Sequence, residues 1–185
     1  MENKLFDSLE ATPIIAAVRD RLFGDAIESP VDVIFLLGGN LLTIEKRVQA
    51  AHEKGKMIFV HIDLAEGIGK DKTGIEFLKN TGVDGIISTK TAIIRMAREQ
   101  GLYTVQRFFA YDSHGIEGIA DMAAGASPDI IEIMPGVIWK IIKRFSALSI
   151  PLIAGGLIEE KSEVTEALAL GALAVSTGKK ELWYI

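Results

Sequence analysis

Short runs of valine, isoleucine, leucine, alanine and phenylalanine recur along the chain, and between them the apolar positions spread out to helical spacing. The runs predict strands over residues 14–18, 33–37, 57–62, 85–88, 103–108, 130–134, 152–154 and 173–176. Most are continuously apolar instead of alternating, as expected of parallel strands buried on both faces. The intervening stretches predict helices over residues 41–54, 72–80, 91–100, 116–124, 137–147 and 160–170. In the last of these, Val164, Ala167 and Leu168 share one face and Glu163 and Glu166 lie opposite. Gly55, Gly82, Gly101, Gly125 and Gly171 each stand just past a helical pattern, where a left-handed C-cap is wanted.

Strands alternating with helices imply an α/β fold with a parallel sheet and right-handed crossovers. A count of eight suggests closure into a single (β/α)₈ TIM-type barrel. With 185 residues the chain is compact for that fold, whose usual lower end is about 200. The crossovers after the first strand (19–30) and after the last (178–185) must then be short. The alternative is an open, doubly wound sheet. No linker or low-complexity tract divides the chain, so residues 1–185 read as one phosphate-ligand-binding barrel domain.

Composition narrows the possibilities. Apolar residues make up 49%, which fits a folded chain. The absence of cysteine excludes a disulfide scaffold, a thiolate metal site and a cysteine nucleophile, and fits a cytoplasmic location. The first ten residues scatter charges and do not read as a signal peptide, and no apolar run is long enough to span a membrane. A net charge of −5 argues against generic nucleic-acid binding unless one face is locally basic.

In such barrels function sits where strands end and βα loops begin. Those ends are polar or glycine while the strand bodies are apolar. The pair Gly155-Gly156 after the seventh strand and Ser176-Thr177-Gly178 after the eighth read as phosphate ligands. Glycine lets amide groups approach an anion and hydroxyls add donors; the other reading is tight turns and caps. In the third strand His61 and Asp63 share a side, pointing into the mouth if Ile62 faces the helices. His61 then reads as a ligand contact or a satisfied core residue, and Asp63 as a ligand contact or a cap for the next helix. Of Gln106 and Arg107 only one can face inward, and a mid-strand charge is costly without a partner. Arg107 and Lys90 therefore read as anion contacts or as structural ion pairs, for instance with Glu132. His61, Asp63 and Glu132 are the only candidates for a hard cation, and no metal site or cofactor is expected; His114 is placed in a loop. Lys140, Lys143 and Arg144 share a helix face and are the candidate RNA contacts, with Trp139 beside them. Arg95 with Arg98, and Lys46, Arg47, Lys54 and Lys56, form two further basic groups. Trp183 and Tyr184 are candidates for a homo-oligomer interface.

Several of these segments together resemble a known family. His61-Ile62-Asp63-Leu64, Gly85-Ile86-Ile87-Ser88-Thr89, Val105-Gln106-Arg107-Phe108, Ile131-Glu132-Ile133-Met134-Pro135-Gly136, Ile153-Ala154-Gly155-Gly156 and Ala174-Val175-Ser176-Thr177, with Trp183 near the end, are similar to the glycerol-3-phosphate-responsive antiterminators of glycerol uptake operons. Trp139 and the basic Gly178-Lys179-Lys180 depart from that pattern. The resemblance implies a barrel, glycerol 3-phosphate as effector, binding of leader mRNA so that a terminator is bypassed, and no catalysis. A barrel enzyme acting on a small sugar or triose phosphate is the alternative, with Asp63 or Glu132 as base and Lys90 or Arg107 as electrophile.

Overall fold

The apolar runs pair in sequence order, each parallel to the next, and the eighth returns to the first to close a barrel. The computed structural model describes residues 4–185. The strands are β1 (Ile14–Val18), β2 (Val33–Leu36), β3 (Met57–His61), β4 (Gly85–Ser88), β5 (Tyr103–Phe109), β6 (Ile130–Met134), β7 (Leu152–Gly155) and β8 (Ala174–Thr177). Among the described residues the helices are α1 (Lys4–Ala11), α2 (Phe23–Glu28), α3 (Ile44–Glu53), α4 (Lys72–Asn80), α5 (Thr91–Glu99), α6 (Ser113–Ala126), α7 (Trp139–Phe145) and α8 (Lys161–Ala169). Closure excludes the open-sheet alternative. None of the described helices is long and apolar enough to cross a membrane.

Strand alternation splits the core in two. Ile15, Phe35, Phe59, Val105, Ile130 and Ile153 fill the barrel. Residues of opposite parity, such as Ala16, Ile34, Val60 and Ile86, pack beneath the helices. Phe59 packs against a tilted Phe35 and stacks on Tyr103, with centroids 5.5 and 6.3 Å away. Its strand partner is Gly85, and a Cβ there would fall on the Phe59 ring. One large residue thus fills the space that its neighbour leaves empty, as close packing requires.

The short crossovers are where the chain's economy shows. Residues 19–30 hold only a 3₁₀ turn and the six-residue α2. After β8 a 3₁₀ segment, Lys180–Tyr184, finishes the chain. Trp183 is 1% exposed and donates from Nε1 to the Thr177 carbonyl at 3.0 Å. It belongs to its own chain's core, so the expectation of an oligomer contact at Trp183 is corrected; Tyr184 is exposed.

Some element boundaries differ from expectation for local reasons. α3 starts at Ile44, not 41, because Asn40 Oδ1 accepts from the Leu42 amide (3.0 Å) and the Thr43 hydroxyl (3.2 Å), making a turn. α6 starts early, at Ser113, because Asp112 caps it by accepting from the Gly115 amide. Position 114 is therefore helical and not in a loop. Gly125 lies inside α6, and Ser127 takes the left-handed C-cap (φ 50°) instead. The unforeseen α1 puts Leu5 and Leu9, one turn apart, into the barrel's interior cluster next to the start of β1.

Candidate functional site

The inward parity that carries Phe59 and Val105 lower in the barrel carries His61, Arg107, Glu132 and Ser176 at its C-terminal end. Arg107 and Glu132 are strand partners, as are Gly155 and Ser176. Glu132 is fully buried and both its oxygens are used. Arg107 Nε donates to Oε2 and Ser176 Oγ to Oε1, each at 2.5 Å. A buried carboxylate persists only when paired and hydrogen-bonded in this way. Gly155 provides the room, since a Cβ there would fall on Glu132 Oε1 and Ser176 Oγ. Gln106, of opposite parity, turns outward and donates from Nε2 to Thr91 Oγ1 at 3.1 Å.

Above this pair opens a cavity of about 360 Å³. Arg107 and Ser176 line it with the apolar Ala17, Leu37 and Met134. Thr177 and the loop residues Gly156, Leu157, Ile158, Glu159, Gly178 and Lys179 complete the wall. The N–H groups of Gly156, Leu157 and Gly178 donate to no acceptor among the described residues. Gly156 (φ 75°) and Leu157 (φ 60°) are both left-handed. For leucine that conformation costs about 1–2 kcal/mol, and strain of this kind collects at functional sites. A second depression, of about 400 Å³, shares Leu37 and is bordered by Arg19, Arg21, Gly38 and Glu66.

The four residues expected to hold phosphate have separate fates. Gly156 lines the cavity. Gly155 is a buried strand residue beneath it, a spacer for Glu132. Ser176 lines the cavity, but its hydroxyl proton is committed to Glu132, leaving only acceptor capacity. Thr177 also lines the cavity, but its Oγ1 donates to the Ile158 carbonyl at 2.8 Å and accepts from the Lys179 amide at 3.0 Å, so the hydroxyl holds the loop. The positive end of α8 is also taken. The Glu163 carboxylate accepts from the amides of Glu159 (2.7 Å) and Glu160 (3.0 Å), a capping box that the sequence reading did not register.

Among the other polar candidates, Asp63 accepts from Ser88 Oγ (2.9 Å), the Thr89 amide (2.8 Å) and Thr89 Oγ1 (3.0 Å). It clamps the β3 end to the β4 loop and does not cap the next helix, whose N-cap is Asp71. Burial opposes its charge, but the Thr89 and Ser88 donors prevail and hold the carboxyl below its ordinary value. His61 is 3% exposed, and its Nδ1 lies 3.9 Å from Asp63 Oδ2 with no hydrogen-bond partner. Burial, reinforced by the Arg107 charge, lowers its pKa to about 4, so the ring is neutral at pH 7. Lys90 is exposed at the α5 N-cap and lies off the cavity wall. Arg107, Glu132 and Ser176 are thus brought together beside His61, whereas Lys90 is not. Among the described residues no three His, Asp or Glu side chains converge to hold a metal ion.

The basic groups also separate. Arg47 pairs with Asp20, and its hydrogen bond holds that carboxyl below the usual range. Lys54 pairs with Glu28, Lys56 is buried on the Ser29 and Val31 carbonyls, and Arg95 donates to the Gly125 carbonyl. Lys140, Lys143 and Arg144 on α7 are exposed and have no ion pair among the described residues.

Residues 14–183 match the family model described as "Glycerol-3-phosphate responsive antiterminator". The chain is similar to the uncharacterized protein YgcP of Escherichia coli K12, with 37% identity over 182 residues, 97% of this chain and 95% of that protein. Its structure is similar to that of a glycerol uptake operon antiterminator regulatory protein from Listeria monocytogenes, at 33% identity and TM-score 0.87, covering 92% and 94% of the two chains. A glycerol uptake operon antiterminator-related protein from Thermotoga maritima gives 32% identity and TM-score 0.83, covering 93% and 98%.

Proposed function

Because the chain belongs to the glycerol-3-phosphate responsive antiterminator family, we propose that it regulates glycerol uptake genes in the cytoplasm by transcription antitermination. In this reading glycerol 3-phosphate occupies the mouth cavity, and the protein binds leader mRNA so that a terminator is bypassed. The observation that carries it is the Arg107 side chain lining a cavity whose loop wall holds the undonated amides of Gly156, Leu157 and Gly178. Amides and a guanidinium suit a phosphate dianion. Ala17, Leu37 and Met134 suit the glycerol carbons, and Ser176 Oγ, which keeps acceptor capacity, suits a hydroxyl.

The enzyme alternative finds less support. Glu132 has both oxygens bonded and Asp63 accepts three hydrogen bonds, so neither carboxylate is free to act as a base. Thermal unfolding with glycerol 3-phosphate tests the effector, since ligand at 100 times its Kd adds about 2.7 kcal/mol. Gel retention of the leader transcript, with and without effector, tests the partner. An unshifted melt together with unretained RNA would eliminate the reading.

A further inference from the structure

We infer that the corner where β5 leads into α6 is a stacking platform for unpaired RNA bases, and that α7 supplies the cations for the adjoining phosphates. The inference rests on the antiterminator reading and gives its RNA partner a place on the molecule. Phe109 is 37% and Tyr111 82% exposed, yet the two rings lie 5.3 Å apart and within 8° of parallel. A parallel-stacked aromatic pair whose outer ring, Tyr111, is largely in solvent offers a face on which any base can stack.

The charge beside it is complementary. Two residues beyond Tyr111, α6 begins, and a cleft of about 340 Å³ separates its Ser113 and Ile116 from Lys140 and Arg144 of α7. Of the other basic groups, Arg47, Lys54, Lys56 and Arg95 are occupied by carboxylates or carbonyls, which leaves Lys46 and Arg98 as single cations, whereas Lys140, Lys143 and Arg144 form a cluster with no such partner among the described residues. Glu117 borders the same cleft and repels phosphate, which puts the strand's backbone on the α7 side. Asp112 is engaged as the α6 cap. The net charge of −5 is thus compatible with RNA binding at one local face.

The platform also adjoins the effector cavity. Phe109 follows Arg107 by two residues, has the same parity, and is the strand partner of Met134. The Ala110 amide donates to the Met134 carbonyl at 2.8 Å, and Met134 lines the cavity. A ligand touching Met134 and Arg107 therefore bears on the strand pair that carries the platform, a route for the effector to bias its presentation.

Fluorescence anisotropy tests the inference with a labelled pool of short single-stranded RNA of randomised sequence, its duplex counterpart and the leader transcript, all with glycerol 3-phosphate. Wild type is expected to prefer single strands. Tyr111→Ala, at a largely exposed side chain, is expected to leave the unfolding midpoint unchanged while weakening RNA binding about 5- to 100-fold; Tyr111→Trp restores it. The triple variant Lys140→Ala/Lys143→Ala/Arg144→Ala should reduce the slope of log K against log salt by about 2, three phosphate contacts on a single strand. If wild type binds neither the pool nor the leader transcript, the antiterminator reading falls and the platform with it. If wild type binds and Tyr111→Ala binds equally well, the platform alone is overturned. A change in oligomeric state without a change in RNA affinity overturns it too, in favour of contact with a second copy of the chain.

Discussion

Replacing Glu132 by leucine should destabilise the protein severely, and the reason lies in the charge left behind. Glu132 is fully buried and Arg107 is 5% exposed. The variant keeps a buried guanidinium whose Nε has lost its 2.5 Å acceptor, and Ser176 loses the other oxygen. Breaking a buried pair from one side costs about 3–5 kcal/mol, mostly the penalty for the stranded charge. For a domain of this size that corresponds to a fall in Tm of about 6–20 °C. The double variant Arg107→Met/Glu132→Leu should recover most of the loss, because an apolar pair of similar volume is commonly neutral or stabilising. Urea titration followed by far-ultraviolet dichroism measures both, and with Arg107→Met alone as the third variant their non-additivity gives the coupling. A single variant within about 1 kcal/mol of wild type would refute the reasoning, as would a double variant no better than the single.

Three other perturbations follow from the same geometry. The pKa of His61 falls from 6.5 to about 4 on folding, so protons favour the unfolded state. Its contribution should be level above pH 6.5 and decline as pH drops toward 4, by about 3 kcal/mol; His61→Gln should lack this decline, and parallel stability–pH curves for the two proteins would contradict the account. Gly155→Ala drives a Cβ into Glu132 and Ser176, and overpacking of this kind costs about 1–3 kcal/mol, read as a lower urea midpoint. Leu157→Gly releases the left-handed leucine, whose side chain is 67% exposed, and should stabilise the fold by up to about 1 kcal/mol; a loss of stability would show that the side chain is anchored.

Much of this architecture was legible in the chain, because parallel strands buried on both faces announce themselves as continuous apolar runs. β1, β4 and β6 begin and end where the pattern changes. The rule that only one of Gln106 and Arg107 can face inward also led to the mouth, with Arg107 the inward member; the 61–63 alternation did not carry through, because β3 ends at His61 and Ile62–Leu64 is a 3₁₀ turn. What stayed hidden depends on neighbours in space. Ser176 and Thr177 both line the cavity, but that Ser176 is the one to reach Glu132 follows from the register of β8 against β7, and the predicted strand ended one residue early. The role of Gly155 is invisible without Glu132 behind it. Asp63 finds its donors on another strand's loop, about 25 residues further along. The Leu5–Leu9 spacing was a readable sign of α1, but eight residues make a weak periodic signal. The Phe109–Tyr111 stack belongs to a rim loop, where no periodicity operates.

The central claim is that the mouth cavity holds the effector, and a crystal structure grown with saturating glycerol 3-phosphate tests it most directly. The account predicts the phosphate against the loop amides of Gly156 and Gly178 within reach of Arg107, with the carbons over Ala17, Leu37 and Met134. A ligand seated elsewhere, or a mouth closed by side chains and empty, would contradict it.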